Sequence, residues 1–174
     1  MRILVLGAGG TGGYFGGRAA QAGADVTFLV REARAARLRE QGLRIKSPRG
    51  DATLAPRLVT AATPSDGYDV VVLSCKAYDL DSAIEAIRPA MGEHTAVLPI
   101  MNGVLQYDVL EREFGAHRVL GGLCQINASL GPRAKSCTWA SMPAWCSANA
   151  PARPTARAAW RCGRRWPTRR STAG

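Results

Sequence analysis

The sequence predicts an α/β fold in which a doubly wound, mostly parallel sheet carries helices on both faces. Three observations predict it. Strand-like runs rich in branched aliphatic residues recur at 3–6, 25–30, 69–74 and 95–100, and helix-like stretches with short connections alternate with them. Gly7, Gly9 and Gly12 follow the first run at G-x-G-x-x-G spacing. A helix can run on from Gly12 to a stop at Gly23, so the motif lies between a strand and a helix, the context that gives it meaning.

The first strand, Ile3-Leu4-Val5-Leu6, is unbroken and apolar, as expected of a strand buried on both faces. Behind it Gly7 permits a tight turn, Gly9 lets a pyrophosphate approach the backbone, and Gly12 lets helix and strand pack closely. The anion then lies at a helix N-terminus, where backbone N–H groups and the helix dipole both favour it. This is the Rossmann-type arrangement, and it makes Gly7, Ala8, Gly9, Gly10, Thr11 and Gly12 the cofactor loop. The second strand, 25–30, ends in Arg31-Glu32-Ala33-Arg34. An acidic residue there would bind the 2′-hydroxyl of NAD, and an arginine would take the 2′-phosphate of NADP. Arg31 at the strand end, with Arg34 one turn on, suits phosphate geometry and favours NADPH. Glu32 leaves NAD open.

The next helix spans 32–41 and stops at Gly42. Residues 43–46 alternate and read as a half-exposed strand, 47–51 as a turn, and 52–59 as one returning strand. After a loop at 60–67, residues 69–74 form a central strand of β-branched character. Asp79 or Asp81 can cap a helix that runs through Ile84 and Ile87 and stops before Pro89. A further strand at 95–100 leads to Asn102-Gly103, and a short helix at 106–114 stops at Gly115. The last strands are expected at 118–122 and 124–130.

In such sheets ligands bind beyond the carboxyl ends of the strands. Lys76 and Asn102 fall at such ends, as do the glycine loop and Arg31, so four features converge on one crevice. Cys75 reads as a buried strand-end residue rather than a nucleophile, because no histidine lies near it in sequence. The five cysteines and two histidines show no metal-ligand spacing. No stretch is long enough to span a membrane or form a signal peptide, and an odd cysteine count suits a reducing cytoplasm.

The net charge of +10 would ordinarily suggest an acidic partner. Its distribution argues otherwise. All 13 acidic residues lie at or before Glu113, and as many Lys and Arg balance them there. From Arg133 onward there is no Asp, Glu, Leu, Ile, Val, Phe or Tyr, while all four Trp occur in that stretch. A segment without branched aliphatics builds no core. We therefore read 1–132 as a dinucleotide-binding domain and 133–174 as a disordered basic tail. Two origins compete for the tail: a nucleic-acid grip with interleaved tryptophans, or an out-of-frame reading of a GC-rich gene. The second is favoured, so no nucleic-acid partner is expected.

These residues resemble a known family. The stretch GAGGTGGYFGG, the strand-end Arg31, LSCKAY around Lys76 and MNGV around Asn102 are similar to the N-terminal domain of ketopantoate reductase (2-dehydropantoate 2-reductase). The SPRG turn at 47–50 and GG-x-C at 121–124 fit as well. The resemblance covers about residues 1–132. It implies NADPH-dependent reduction of 2-dehydropantoate, a small 2-oxoacid, to (R)-pantoate in pantothenate and coenzyme A synthesis. It further implies that Gly7, Gly9, Gly10 and Gly12 hold the pyrophosphate, that Arg31 takes the 2′-phosphate, and that Lys76 and Asn102 lie near nicotinamide and substrate in supporting catalytic roles. The family's general-acid lysine and most of its substrate contacts belong to a helical second domain that has no counterpart after Pro132. The expectation is a cofactor-binding half that is inactive alone. A related 2-oxoacid reductase and a non-catalytic NADP-binding module are the alternatives.

Overall fold

The computed structural model describes residues 1–62, 67–131, 136–138 and 145–149. Its centre is a five-stranded parallel sheet. The strands are β1 (Arg2–Leu6), β2 (Asp25–Leu29), β5 (Arg57–Val59), β6 (Val70–Leu73) and β7 (Ala96–Pro99), in the order β5-β2-β1-β6-β7. Helices α1 (Gly10–Gln21) and α2 (Glu32–Gln41) precede β6 in the chain; α3 (Leu80–Ile87) and α4 (Leu105–Phe114) follow it. The predicted doubly wound α/β architecture is the one observed.

The unbroken apolar runs have a simple cause. Side chains alternate between faces of a strand, and here both faces are covered. Ile3, Val5, Phe28, Val70 and Val72 pack on one side with Ala19, Ala35 and Leu38 of α1 and α2. Leu4, Leu29, Val71 and Leu73 pack on the other with Ile84, Ile87, Leu110 and Phe114 of α3 and α4.

Helix α1 is itself enclosed. A second sheet, β4-β3-β10-β9, comprises β3 (Leu43–Lys46), β4 (Ala52–Leu54), β9 (Ala128–Leu130) and β10 (Ser136–Thr138). A Cβ on Gly16 would lie 2.8 Å from Phe28 Cε1 in the central sheet; one on Gly17 would lie 2.7 Å from Ile45 Cδ1 in the second. The glycines of α1 thus set its distance from a sheet on either side.

Several expectations are corrected. Residues 52–59 are two strands rather than one: β4 pairs antiparallel with β3, and after Ala55-Pro56 the chain crosses so that β5 pairs parallel with β2. Proline has no N–H for a ladder and marks the break. Asp79 takes the N-cap position of α3, as one of the two expected candidates, but its side chain makes no cap bond. A 3-10 turn at Ala77–Asp79 leads straight into the helix. The strands expected at 118–122 and 124–130 have other bounds: Val119 makes one bridge with Val97, β8 (Gly121–Gln125) pairs with β11 (Trp145–Asn149), and β9 covers only Ala128–Leu130.

Strands β10 and β11 lie within 133–174, where the sequence shows no period. Their pairing is made by backbone groups, which any residue except proline supplies in full. The rest of the expected tail, with Pro132, lies outside the described residues.

The α1 contact predicts a compensated pair. Gly16→Val should destabilise by about 1–3 kcal/mol through overpacking against Phe28, and Phe28→Ala by about 3–5 kcal/mol through the cavity it leaves. The double variant should lose clearly less than the sum. Urea unfolding of the three variants measures this; strict additivity would mean that helix and ring are not in contact.

Candidate active site

The register aligns four strand ends in a row. Leu29, Leu6, Leu73 and Pro99 are paired across β2, β1, β6 and β7. Adjacent strands are about 4.8 Å apart, so the loops leaving these residues stand side by side on one edge. Arg31 follows Leu29, the glycine loop follows Leu6, Lys76 follows Leu73 and Asn102 follows Pro99. The strand order reverses beside β1, since β2 flanks it on one side and β6 on the other. That is the switch point at which open α/β sheets bind ligands.

Each glycine of the loop has a distinct environment. Gly7 has φ of +86°, a left-handed conformation that glycine adopts freely. A Cβ on Gly12 would lie 2.2 Å from Ser74 Oγ and 2.5 Å from the Gly7 carbonyl oxygen. One on Gly10 would lie 3.0 Å from the Ala128 carbonyl oxygen, so Gly10 is fitted to β9. Among the described residues, one on Gly9 would meet nothing within 4 Å. Gly9 therefore has room for an added atom at the carboxyl edge of the sheet, which a pyrophosphate approaching the backbone would need. It is also the N-cap of α1, in extended conformation and with no side-chain cap bond. The Gly13 amide donates to its carbonyl at 2.9 Å, and the positive end of the α1 dipole lies there. The half-buried Thr11 is in the first turn. These residues fit a dinucleotide phosphate on steric and electrostatic grounds.

Arg31 is exposed at the N-cap of α2. Arg34 behaves differently: half-buried, it donates from Nη2 to the Ala8 carbonyl oxygen at 2.7 Å. Glu32 faces Arg39 of its own helix, Oε1 to Nη1 at 3.0 Å. Lys76 and Asn102 are both exposed, on neighbouring loops. The loop at Asn102 is shaped by Gly103, with φ of +97°, whose carbonyl accepts from the buried Gln106 Nε2 at 2.7 Å. Tyr78, Val104 and Leu105 are at least 72 % exposed and give these two loops an apolar rim.

Cys75 is half-buried, its Sγ 3.6 Å from Met101 Sδ. Burial pushes its thiol up from the ordinary value; a backbone hydrogen bond opposes that, and the charge of Asp79 adds to it. Burial likewise raises Cys124, whose Sγ is 3.6 Å from the Ile100 carbonyl oxygen. Neither is poised as a nucleophile. Among the described residues no His, Cys, Asp and Glu side chains form a metal-binding group, and no helix is long and apolar enough to cross a membrane.

Ser74 is a site residue that the sequence reading passed over. Its hydroxyl donates to the Leu6 carbonyl at 2.8 Å, joining the ends of β1 and β6 beneath the glycine loop. A hydroxyl directly after a β-branched run was the available signal.

Residues 3–140 match the family described as ketopantoate reductase PanE/ApbA. The chain belongs to that family. It is 43 % identical over 130 residues to an uncharacterized oxidoreductase, YkpB, of Bacillus subtilis, covering 75 % of this chain and 43 % of that one. With the 2-dehydropantoate 2-reductase of Pyrococcus abyssi the identity is 36 % over 126 residues, covering 71 % and 39 %. The crystal structure of 2-dehydropantoate 2-reductase from Geobacter metallireducens superposes with a TM-score of 0.73 at 31 % identity, over 79 % of this chain and 46 % of that one. The chain thus spans less than half the length of these relatives.

Two outcomes are expected. Gly9→Ala should leave the unfolding midpoint unchanged and weaken dinucleotide binding, whereas Gly12→Ala should lower the midpoint as well; thermal unfolding beside cofactor titration separates them. Cys75 and Cys124 should alkylate more slowly in the folded chain than in urea at pH 7, because a raised thiol pKa leaves less thiolate. Their native rates should rise as pH climbs past the ordinary thiol value. Peptide mass mapping of a timed iodoacetamide reaction reads both.

Proposed function

We propose that this chain binds NADPH and is the cofactor-binding half of a 2-dehydropantoate 2-reductase, acting in pantothenate and coenzyme A synthesis in the cytoplasm. The observation that carries the reading is the room for an added atom at Gly9, at the N-terminus of α1 and in line with three further strand-end loops. Family membership supplies the reaction class. Bound NADPH would supply a hydride for the ketone carbon of a small 2-oxoacid.

The chain's own residues have separable tasks in this reading. The backbone of Gly7 to Gly12 holds the pyrophosphate against the α1 dipole. Arg31, exposed at the head of α2, takes the 2′-phosphate. The Glu32–Arg39 pair favours NADP over NAD, because it draws the nearby carboxylate along its own helix. Lys76 offers an ammonium and Asn102 an amide on adjacent loops, where they orient the nicotinamide and the oxoacid. The proton for the product hydroxyl and the opposite wall of the site are assigned to the portion of the relatives that this chain does not span.

Titration of the 174-residue chain with NADPH and NADH tests the reading. NADPH should bind more tightly. Arg31→Ala should weaken NADPH by roughly ten- to a hundredfold, the range of one charge-assisted hydrogen bond, and leave NADH nearly unchanged. Equal affinities in the unaltered chain would refute the NADPH assignment. In a full-length reductase carrying these residues, Lys76→Ala and Asn102→Ala should each lower 2-dehydropantoate-dependent NADPH oxidation.

A further inference from the structure

Arg34 lies one turn beyond Arg31 on α2, which suggests a two-arginine phosphate fork. The structure gives it another task. Its Nη2 reaches the carbonyl oxygen of Ala8, the residue between Gly7 and Gly9, at 2.7 Å. Ala8 is only 2 % exposed.

The loop has particular need of such a contact. Gly7 and Gly9 lack Cβ atoms, so the three-residue backbone between β1 and α1 has more torsional freedom than an ordinary sequence of its length. The Gly7 amide is already fixed, donating to the Leu29 carbonyl at 2.9 Å, and the Gly9 carbonyl accepts the first bond of α1. The peptide joining Ala8 to Gly9 lies between these two anchors. In a planar trans peptide the carbonyl and amide point in opposite directions, so fixing the carbonyl fixes both. A carbonyl oxygen next to a bound pyrophosphate would also repel it; a guanidinium on that oxygen offsets its partial charge.

We infer that Arg34 is a positioning residue of the dinucleotide site, holding the Ala8–Gly9 peptide in the orientation that accepts a pyrophosphate, while Arg31 alone distinguishes NADPH from NADH. The inference rests on the dinucleotide reading proposed above. Burial, and after it like charge from nearby Arg37, disfavour the charged form of Arg34, and a bound anion would relieve the second.

The two arginines should therefore have different signatures in cofactor titrations of the 174-residue chain. Arg34→Ala should weaken NADPH and NADH by the same factor, about tenfold, within the range of one charged hydrogen bond. The ratio of the two affinities should stay within twofold of that of the unaltered chain. Arg34→Lys, which keeps a cationic donor, should recover much of the loss, and Arg34→Gln less. Arg31→Ala should do the reverse, changing the ratio and sparing NADH. Titrations run well below each variant's unfolding midpoint separate the effect from loss of fold. If Arg34→Ala does not fold, the contrast between Arg34→Lys and Arg34→Gln carries the test. A collapse of the NADPH-to-NADH ratio in the Arg34 variants would show that this residue reads the 2′-phosphate itself, and unchanged affinities would show that the Ala8 contact is idle; either overturns the inference. An unaltered chain that binds neither nucleotide overturns the dinucleotide reading, and this inference with it.

Discussion

Helix α1 approaches the central sheet with no side chain between them at Gly12 and Gly16, and the functional edge takes its shape from that approach. At Gly12 a single added carbon would collide with Ser74 Oγ and the Gly7 carbonyl, so the first turn of the helix sits directly over the ends of β1 and β6. The hydroxyl of Ser74 closes the gap beneath it by donating to Leu6. A helix held further out by ordinary side chains would carry its N-terminus away from the switch point, and its dipole acts only within about one turn. Close packing at two glycines therefore has an electrostatic result several residues away.

The opposite face of the same helix explains Gly10 and Gly17. Gly17 meets Leu43 and Ile45 of β3, and Gly10 meets Ala128 of β9. Layers on both sides leave α1 almost no solvent-facing strip along these positions. This accounts for its composition: a helix with five glycines is poor by intrinsic propensity, and tertiary packing holds it instead.

Much of this was legible in the sequence because it depends on short-range pattern. A strand buried on both faces must read as an unbroken apolar run, and β1, β6 and β7 do. The spacing of Gly7, Gly9 and Gly12 marked the loop, and the strand ends marked Arg31, Lys76 and Asn102. Features that depend on partners distant in sequence were not legible. Nothing local says that residues 52–54 and 57–59 serve different sheets, since that depends on which neighbour each finds. Arg34 looked like a phosphate ligand because its helical spacing from Arg31 is visible, whereas the Ala8 carbonyl it reaches is not. Gly10 looked like part of the phosphate loop, and only the return of β9 shows what it packs against.

The strand order also has a kinetic consequence. The pairing of β1 with β2 closes over a single helix and can form early and locally. Its pairing with β6 joins the first residues of the chain to residues in the seventies, across α1, α2 and two of the four strands of the second sheet. Loop closure over that span is entropically costly before any contact repays it. During synthesis, the first βαβ unit must wait with one edge of its central strand unpaired until β6 has left the ribosome. In that interval Ile3, Leu4 and Val5 are an open apolar edge, the state in which such chains associate wrongly. The assembly step to protect is the arrival of 70–73 beside β1, and the serine that follows that strand fastens the new neighbour as it docks.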